Sequence, residues 1–249
     1  MKTAIIIGAT SGIGYEVATR LVEDSWRVAV AGRRIELLER MRKRFGENVM
    51  PYQMDVTLPE SVAVVDKILA ETGAPDLFLY VSGVGNQNRS LDEQVEINTV
   101  QTNSEGMVRI VSHLFNYVKL SRDYSSERKA HIAVVTSVAG TEGLGLSPAY
   151  SATKKMQSTY ITALAQLSAM EKVPVRFTDI RPGFVATDIL NPNKKYPMLM
   201  KKEKVAELII KGLERKRRVL IIDWRYRLLV AFWRLIPRCL WERITWVHN

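Results

Sequence analysis

Short runs of apolar and β-branched residues alternate along the chain with longer stretches in which apolar positions recur every three or four residues. TAIIIG (3–8) predicts a buried strand, and IGYEVATRLVEDS (13–25) puts Val17, Leu21 and Val22 on one helical face. RVAVAG (27–32) predicts a second strand, followed by a charged helix over 33–46 that stops at Gly46. The same alternation continues through a strand in 49–56, a helix over 61–73, strands in 75–83 and 129–140, a helix over 106–120, a long helix from Pro148 to Met170 and a strand in 174–183. Strands that read as continuous apolar runs are buried on both faces, and alternation with helices implies a parallel sheet joined by right-handed crossovers. The expected fold is α/β: a doubly wound parallel sheet of the Rossmann type with helices on both faces, one domain over 1–223, and a helical extension over 224–249.

Composition adds bounds. At 249 residues, 47% hydrophobic and 25% charged, the chain suits one soluble globular core. Cys239 is the sole cysteine, which rules out an intrachain disulfide and fits a reducing, cytoplasmic setting. The short apolar run at the N-terminus meets glycines and no cleavage-site pattern, so a signal peptide is not expected, and no run of about eighteen apolar residues predicts a membrane span. The net charge of +10 is concentrated: residues 215–249 carry nine Lys or Arg against Asp223 and Glu242. The charge belongs to the tail and not to the fold, which argues against nucleic acid as a partner.

The first candidate chemistry lies in IIIGATSGIG, where Gly8, Gly12 and Gly14 join the first strand to the first helix. Missing side chains let backbone N–H groups approach a pyrophosphate at the positive end of a helix. A tight strand-to-helix turn would use the same glycines. About twenty residues further on, AGRRIE (31–36) offers Arg33 and Arg34 where such units usually carry an acid for the adenosine ribose. A guanidinium fork matches phosphate oxygens, which points to the phosphorylated dinucleotide. The two arginines could also simply open a solvated helix, although basic residues sit poorly at a helix N-terminus. Tyr150 and Lys154 are one helical turn apart and share a face, so the ammonium can favour the phenolate. Ser137 stands thirteen residues before Tyr150 at the end of a strand, where open α/β sheets place active residues. The three histidines are scattered and predict no metal site.

The G-x-x-x-G-x-G loop, the Ser137, Tyr150 and Lys154 spacing and the P-G-x-x-x-T of RPGFVATD together resemble the short-chain dehydrogenase/reductase family over residues 3–190. Ile7 departs from the family's threonine, and YVSG (80–83) departs from N-N-A-G, keeping Gly83 with Ser82 as a small replacement. The resemblance implies an oxidoreductase that moves a hydride between NADP(H) and a ketone or secondary alcohol. It implies that Gly8, Thr10, Ser11, Gly12, Ile13 and Gly14 hold the pyrophosphate. Arg33, with Arg34 second, takes the 2′-phosphate. Asp55 and Val56 lie beside the adenine, although Asp55, or Thr57, could instead cap the next helix. Ser82 and Gly83 flank the cofactor, Pro182, Gly183 and Val185 face the nicotinamide, and Thr187 reaches the phosphates. Tyr150 is the implied acid/base, Ser137 polarises the carbonyl, and Lys154 tunes Tyr150 and binds ribose. The family's fourth member is an asparagine. Asn103, in N-x-x-G before an apolar helix, fits better than Asn98, and it could equally be a helix cap. LNPNKKYPMLMKK, after the last strand, is expected to be a substrate lid. A homodimer or homotetramer is expected. A non-catalytic NADP(H)-binding sensor is the rival on the same fold.

The tail WRYRLLVAFWRLIPRCLWERITW (224–246) holds four of the five tryptophans. Leu228, Leu229, Phe232, Leu235 and Ile236 share one helical arc, Arg227, Arg234 and Arg238 lie opposite, and Pro237 breaks the helix. Two readings remain: the arc packs on the body or another subunit, or it rests on anionic lipid with RKRR (215–218) as support, which would favour a lipid-like substrate.

Overall fold

A computed structural model describes residues 1–191 and 193–245. Pro192 of the expected lid, and Trp246 and His248 of the tail, lie outside the described residues. Seven parallel strands, β1 (Thr3–Ile7), β2 (Arg27–Gly32), β3 (Val49–Gln53), β4 (Leu77–Tyr80), β5 (Ala130–Val135), β6 (Val175–Arg181) and β7 (Val219–Ile221), form one sheet in the order β3-β2-β1-β4-β5-β6-β7. The order reverses between β1 and β4. The carboxyl ends of strands diverge there, and doubly wound sheets hold their ligands at such a point.

The period-two alternation of each strand divides the core into two layers. In β1, Ala4 and Ile6 face one layer and Ile5 and Ile7 the other. The first layer is closed by α1 (Gly12–Glu23), α2 (Ile35–Phe45), a later helix over Lys202–Glu214 and the start of the tail. The second layer is closed by α3 (Ser61–Thr72), by a long composite helix and by the helix Pro148–Met170. The composite helix is α4 (Glu93–Val100), a π-helical segment Gln101–Glu105 and α5 (Gly106–Leu120) in succession. The helix Pro148–Met170 is α6 and Lys202–Glu214 is α7. Each of these helices presents apolar positions at helical spacing, for example Val205, Ile209 and Leu213 of α7, all buried.

The alternating pattern anticipates β1 to β6 and α1, α2, α3, α5 and α6. It misses β7, α4 and α7. β7 has three residues and follows RKRR, so its local composition reads as charged surface; its register against Asp179, Ile180 and Arg181 makes it a strand. No helix among the described residues is long and apolar enough to cross a membrane.

The tail forms α8 (Trp224–Trp233) and a short α9 (Arg238–Trp241) begun at Pro237. The expected arc is divided: Leu229 is half-buried against the core and Ile236 is half-buried at the cavity. Tyr226 and Val230, outside that arc, enter the core, whereas Leu228, Phe232 and Leu235 are exposed. Tyr226 decides the rotation of the helix. Its ring lies against the backbone of Gly183, where a Cβ would come within 2.0 Å of the ring. Its hydroxyl accepts from the Phe184 N–H at 3.0 Å and can donate to the Pro197 carbonyl at 3.1 Å.

Candidate active site

The chain leaves β1 through Gly8, whose φ of 98° lies in the left-handed region, and Gly12 (φ 57°) opens α1. A Cβ at Gly8 would meet the Ser82 backbone nitrogen at 2.5 Å, and one at Gly14 would meet the Gly8 carbonyl oxygen at 2.2 Å. The loop, the end of β4 and the start of α1 are therefore packed backbone to backbone. No side chain caps α1 and no acid occupies its first turn. The N-terminal N–H groups and their partial positive charge are left facing the cavity, a fit for a pyrophosphate.

Arg33 and Arg34 follow β2 beside this loop, and both line the cavity. Arg34 Nη2 donates to Thr10 Oγ1 at 3.1 Å and to Ser11 Oγ at 3.0 Å, tying the basic pair to the glycine loop. The guanidinium of Arg33 has no hydrogen-bond or ion-pair partner among the described residues. Asp55 lines the same cavity, yet its carboxylate already accepts from the Thr57 N–H at 3.0 Å and the Thr57 hydroxyl at 2.8 Å, a local turn at the end of β3. Val56 borders the cavity beside it.

Ser137 follows β5 and starts a single 3₁₀ turn over Val138–Gly140, accepting from the Ala139 N–H at 3.1 Å. The turn packs closely against α6: a Cβ at Gly140 would lie 2.7 Å from the Lys154 carbonyl carbon. Glu96 of α4 braces the N-terminus of α6. Its carboxylate accepts from the Ala149 N–H at 2.9 Å and from Asn88 Nδ2 at 2.8 Å, placing negative charge at the helix N-terminus one residue before Tyr150. Tyr150 is half-buried at the cavity wall, and Gly85 leaves room for its ring, since a Cβ there would lie 2.8 Å from Tyr150 Cε2.

Lys154 is buried behind Tyr150. Its ammonium donates to the Val135 carbonyl at 3.1 Å and lies 5.7 Å from the Tyr150 ring centroid. Burial pushes the Tyr150 phenol up, while the Ser137 hydroxyl pulls it back. Burial lowers Lys154 to about 8, and the carboxylate of buried Asp179 acts the other way. Asp179 is itself held by the Thr136 hydroxyl at 2.6 Å and by Arg181 Nη2 at 2.6 Å.

The depressed Lys154 has a consequence for stability. Unfolding returns it to the ordinary value of 10.5, so from about pH 8 to 10.5 the unfolded chain holds the extra proton. The folded protein free of ligand should therefore gain stability from this residue as pH rises through that window. Thermal melts of wild type and Lys154→Met should differ in pH slope there; identical slopes would overturn the assignment.

The π-helical segment places Asn103, fully buried, at the same spot. Its Oδ1 accepts from the Val84 N–H at 2.8 Å, its Nδ2 donates to the Val84 carbonyl at 2.8 Å, and Gln157 Nε2 donates to its main-chain carbonyl at 2.7 Å. A Cβ at Gly83 would sit 3.1 Å from Asn103 Oδ1 and 3.4 Å from Lys154 Nζ, so the three residues enclose one small space. Asn98 is exposed on α4. An extra residue per turn in a π segment turns one side chain away from the α-helical course and recurs at functional sites. Nothing in the local sequence announces it.

After β6 the chain turns at Pro182 and Gly183. Pro182 accepts from the Val138 N–H at 3.0 Å, which holds this turn against the Ser137 turn. Val185 forms an isolated bridge with Met200, made by the Ala186 and Met200 N–H groups. The Val185 N–H has no partner among the described residues and lines the cavity. Thr187 approaches Gly12, its Cγ2 lying 3.1 Å from where a Cβ there would be. The segment between is pinned by the Phe184 ring packed at a tilt against Tyr196, ring centroids 5.0 Å apart, and by the Tyr226 hydroxyl.

The expected site residues other than Gly14 and Asn103 border one cavity of about 1300 Å³ at the carboxyl end of the sheet. Leu229, Phe232, Trp233 and Ile236 of the tail line the same cavity. Trp241 crosses to the loop before α6 and donates its indole N–H to the Gly143 carbonyl at 2.8 Å. Sequence reading overlooked Glu96, Gly85 and the tail as parts of the site. The signals for the tail were its density of tryptophan and its apolar helical arc.

The chain matches the family described as short chain dehydrogenase over residues 2–197. It is 30% identical to an uncharacterized oxidoreductase of Myxococcus xanthus, covering 97% of this chain and 95% of that one. An uncharacterized oxidoreductase of Staphylococcus aureus is 29% identical over 88% of this chain and 93% of its own. Among solved structures, a short chain dehydrogenase from Burkholderia cenocepacia in complex with NADP superposes with a TM-score of 0.82 at 18% identity, covering 98% of this chain and 99% of that chain. A 3-ketoacyl-(acyl-carrier-protein) reductase from Brucella melitensis complexed with NADH gives 0.79 at 23% identity, over 89% and 96%. The chain belongs to the short-chain dehydrogenase family, as an oxidoreductase that uses a nicotinamide cofactor.

Proposed function

We propose that this enzyme is an NADPH-dependent carbonyl reductase in which Tyr150 is the proton donor. The observation that carries the reading is the convergence of Ser137, Tyr150 and Lys154 on one wall of the cavity, with the lysine buried behind the tyrosine. The residues present fit a dinucleotide: uncapped N–H groups of α1 for the pyrophosphate, Arg33 and Arg34 for a 2′-phosphate, and the unpartnered Val185 N–H for the carboxamide. When bound, the cofactor supplies a hydride at the nicotinamide.

Ser137 donates a hydrogen bond to the ketone oxygen and polarises the bond. Tyr150 gives its proton to that oxygen as negative charge develops there. The phenol holds a proton to give at neutral pH, since its ordinary value is 10 and burial pushes it further up. The positive charge of Lys154 stabilises the phenolate left behind. Asn103 and Lys154, facing the same space beside Gly83, serve the return of the proton from solvent. The reverse sequence oxidises a secondary alcohol, and the cofactor ratio decides the direction.

The test is a panel of ketones, from 3-oxoacyl thioesters to long-chain and polycyclic ketones, followed at the NADPH absorbance. Turnover with NADPH well above NADH is expected. Failure of every ketone would sink the reductase reading, and equal use of NADH would sink the role of the arginines.

A further inference from the structure

We propose that the tail is a lipid-docking element and that an anionic bilayer surface delivers the substrate, a carbonyl compound on a long apolar chain, directly into the cavity. The substrate part rests on the reductase reading above; the docking part does not.

α8 carries two apolar stripes. One, Tyr226 and Val230, is buried and anchors the helix to the core. The other points outward: Trp224 is 64% exposed, Leu228 62%, Phe232 62% and, in the turn that follows, Leu235 79%. Their spacing of four, four and three residues places them on one face. A helix that only packed on the body would need the first stripe alone. Anchoring by Tyr226, with Asp223 capping α8 at the Arg225 N–H, 2.9 Å away, makes the second stripe a fixed surface and not a frayed end.

Between the two stripes runs the row Leu229, Trp233 and Ile236, which lines the cavity. Phe232 belongs both to the outer stripe and to the cavity lining. Apolar surface is thus continuous from the outside of α8 to the cavity. The polar groups Ser137, Tyr150 and Lys154 line the same cavity. A substrate with its carbonyl at these groups and an apolar chain along α8 fits this lining.

Charge selects the occupant of the outer stripe. The two acids of the tail are already engaged, Asp223 with Arg225 at 2.7 Å and Glu242 with Arg238 at 2.8 Å. Arg227, Arg234 and Arg243 form no ion pair among the described residues. Exposed tryptophan, leucine and phenylalanine flanked by uncompensated arginine match an anionic headgroup layer over acyl chains. A second copy of this chain on the same face would set these arginines against each other.

The experiment uses the full chain. Wild type should float with phosphatidylglycerol-containing vesicles and not with phosphatidylcholine vesicles. Leu228→Glu/Leu235→Glu, two residues outside the cavity lining, and Arg227→Glu/Arg234→Glu should each reduce the bound fraction by about tenfold. In both variants turnover of a soluble short-chain methyl ketone should stay at the wild-type level, while turnover of a long-chain methyl ketone embedded in the anionic vesicles falls by a similar factor. Wild type that stays off anionic vesicles overturns the proposal. So does a dimer that the Leu228→Glu/Leu235→Glu variant dissociates, which would make the stripe a subunit interface. Normal flotation with no turnover of either ketone overturns the reductase reading and leaves the docking surface standing.

Discussion

Tyr150→Phe should lower kcat/KM for ketone reduction by about 10²- to 10⁴-fold, with cofactor affinity close to wild type. The substitution removes one oxygen and keeps the ring, which sits against Gly85. The fold and the cavity wall therefore have no reason to change. What is lost is the phenol hydroxyl that meets Ser137, the proposed proton donor. Lys154 is buried, with its ammonium held on the Val135 carbonyl at 3.1 Å. Cofactor titration by fluorescence, alongside steady-state kinetics, separates the two effects. Turnover within a few-fold of wild type would remove Tyr150 from the mechanism. A wild type that binds NADPH but turns over nothing, and a variant that differs only in its response to the cofactor, would revive a sensing role.

The second large effect is on cofactor choice. Arg33→Ala should raise the KM for NADPH by about 10- to 100-fold and leave that for NADH nearly unchanged, because charged hydrogen bonds to a phosphate are lost and nothing else. The free guanidinium of Arg33 at the cavity rim motivates this selectivity. Arg34→Ala should behave differently. Arg34 also orders the Thr10 and Ser11 hydroxyls of the glycine loop, so its loss should raise KM for both cofactors. Equal changes for NADPH and NADH in Arg33→Ala would show that the basic pair has no part in selecting the phosphorylated form.

The contrast between these two arginines shows how far sequence reading reaches. Their place after β2 was legible because strand and helix periods differ, and the glycine loop fixed the register of the first crossover. Which guanidinium is free and which is tied to Thr10 depends on rotamers set by the packing of the loop. Asn103 makes the same point. Its sequence context admitted Asn98 and a simple cap as rivals. A π-helical segment decides that Asn103 faces Lys154 and that Asn98 faces outward, and such a segment is stabilised by contacts from Val84 and Gln157 that lie far away in sequence.

The tail is the largest departure. Its periodicity was read as helical and amphipathic with two uses of the arc left open, and the structure divides that arc: Leu228, Phe232 and Leu235 are exposed, while Leu229 and Ile236 are half-buried at the cavity. Local hydrophobicity cannot rank two apolar stripes on one helix. The rank was set by Tyr226, whose ring fits only because Gly183, 43 residues away in the chain, has no side chain.

The sequence alone therefore determined the doubly wound α/β plan, the place of Ser137 at a strand end, and the shared face of Tyr150 and Lys154 on one helix, because these follow from strand and helix periodicity. Tertiary structure decided the burial that shifts Tyr150 and Lys154, the bracing of α6 by Glu96, and the conversion of a basic tail into the wall of the cavity. Each of those depends on contacts between segments distant in sequence, and no local pattern of residues encodes them.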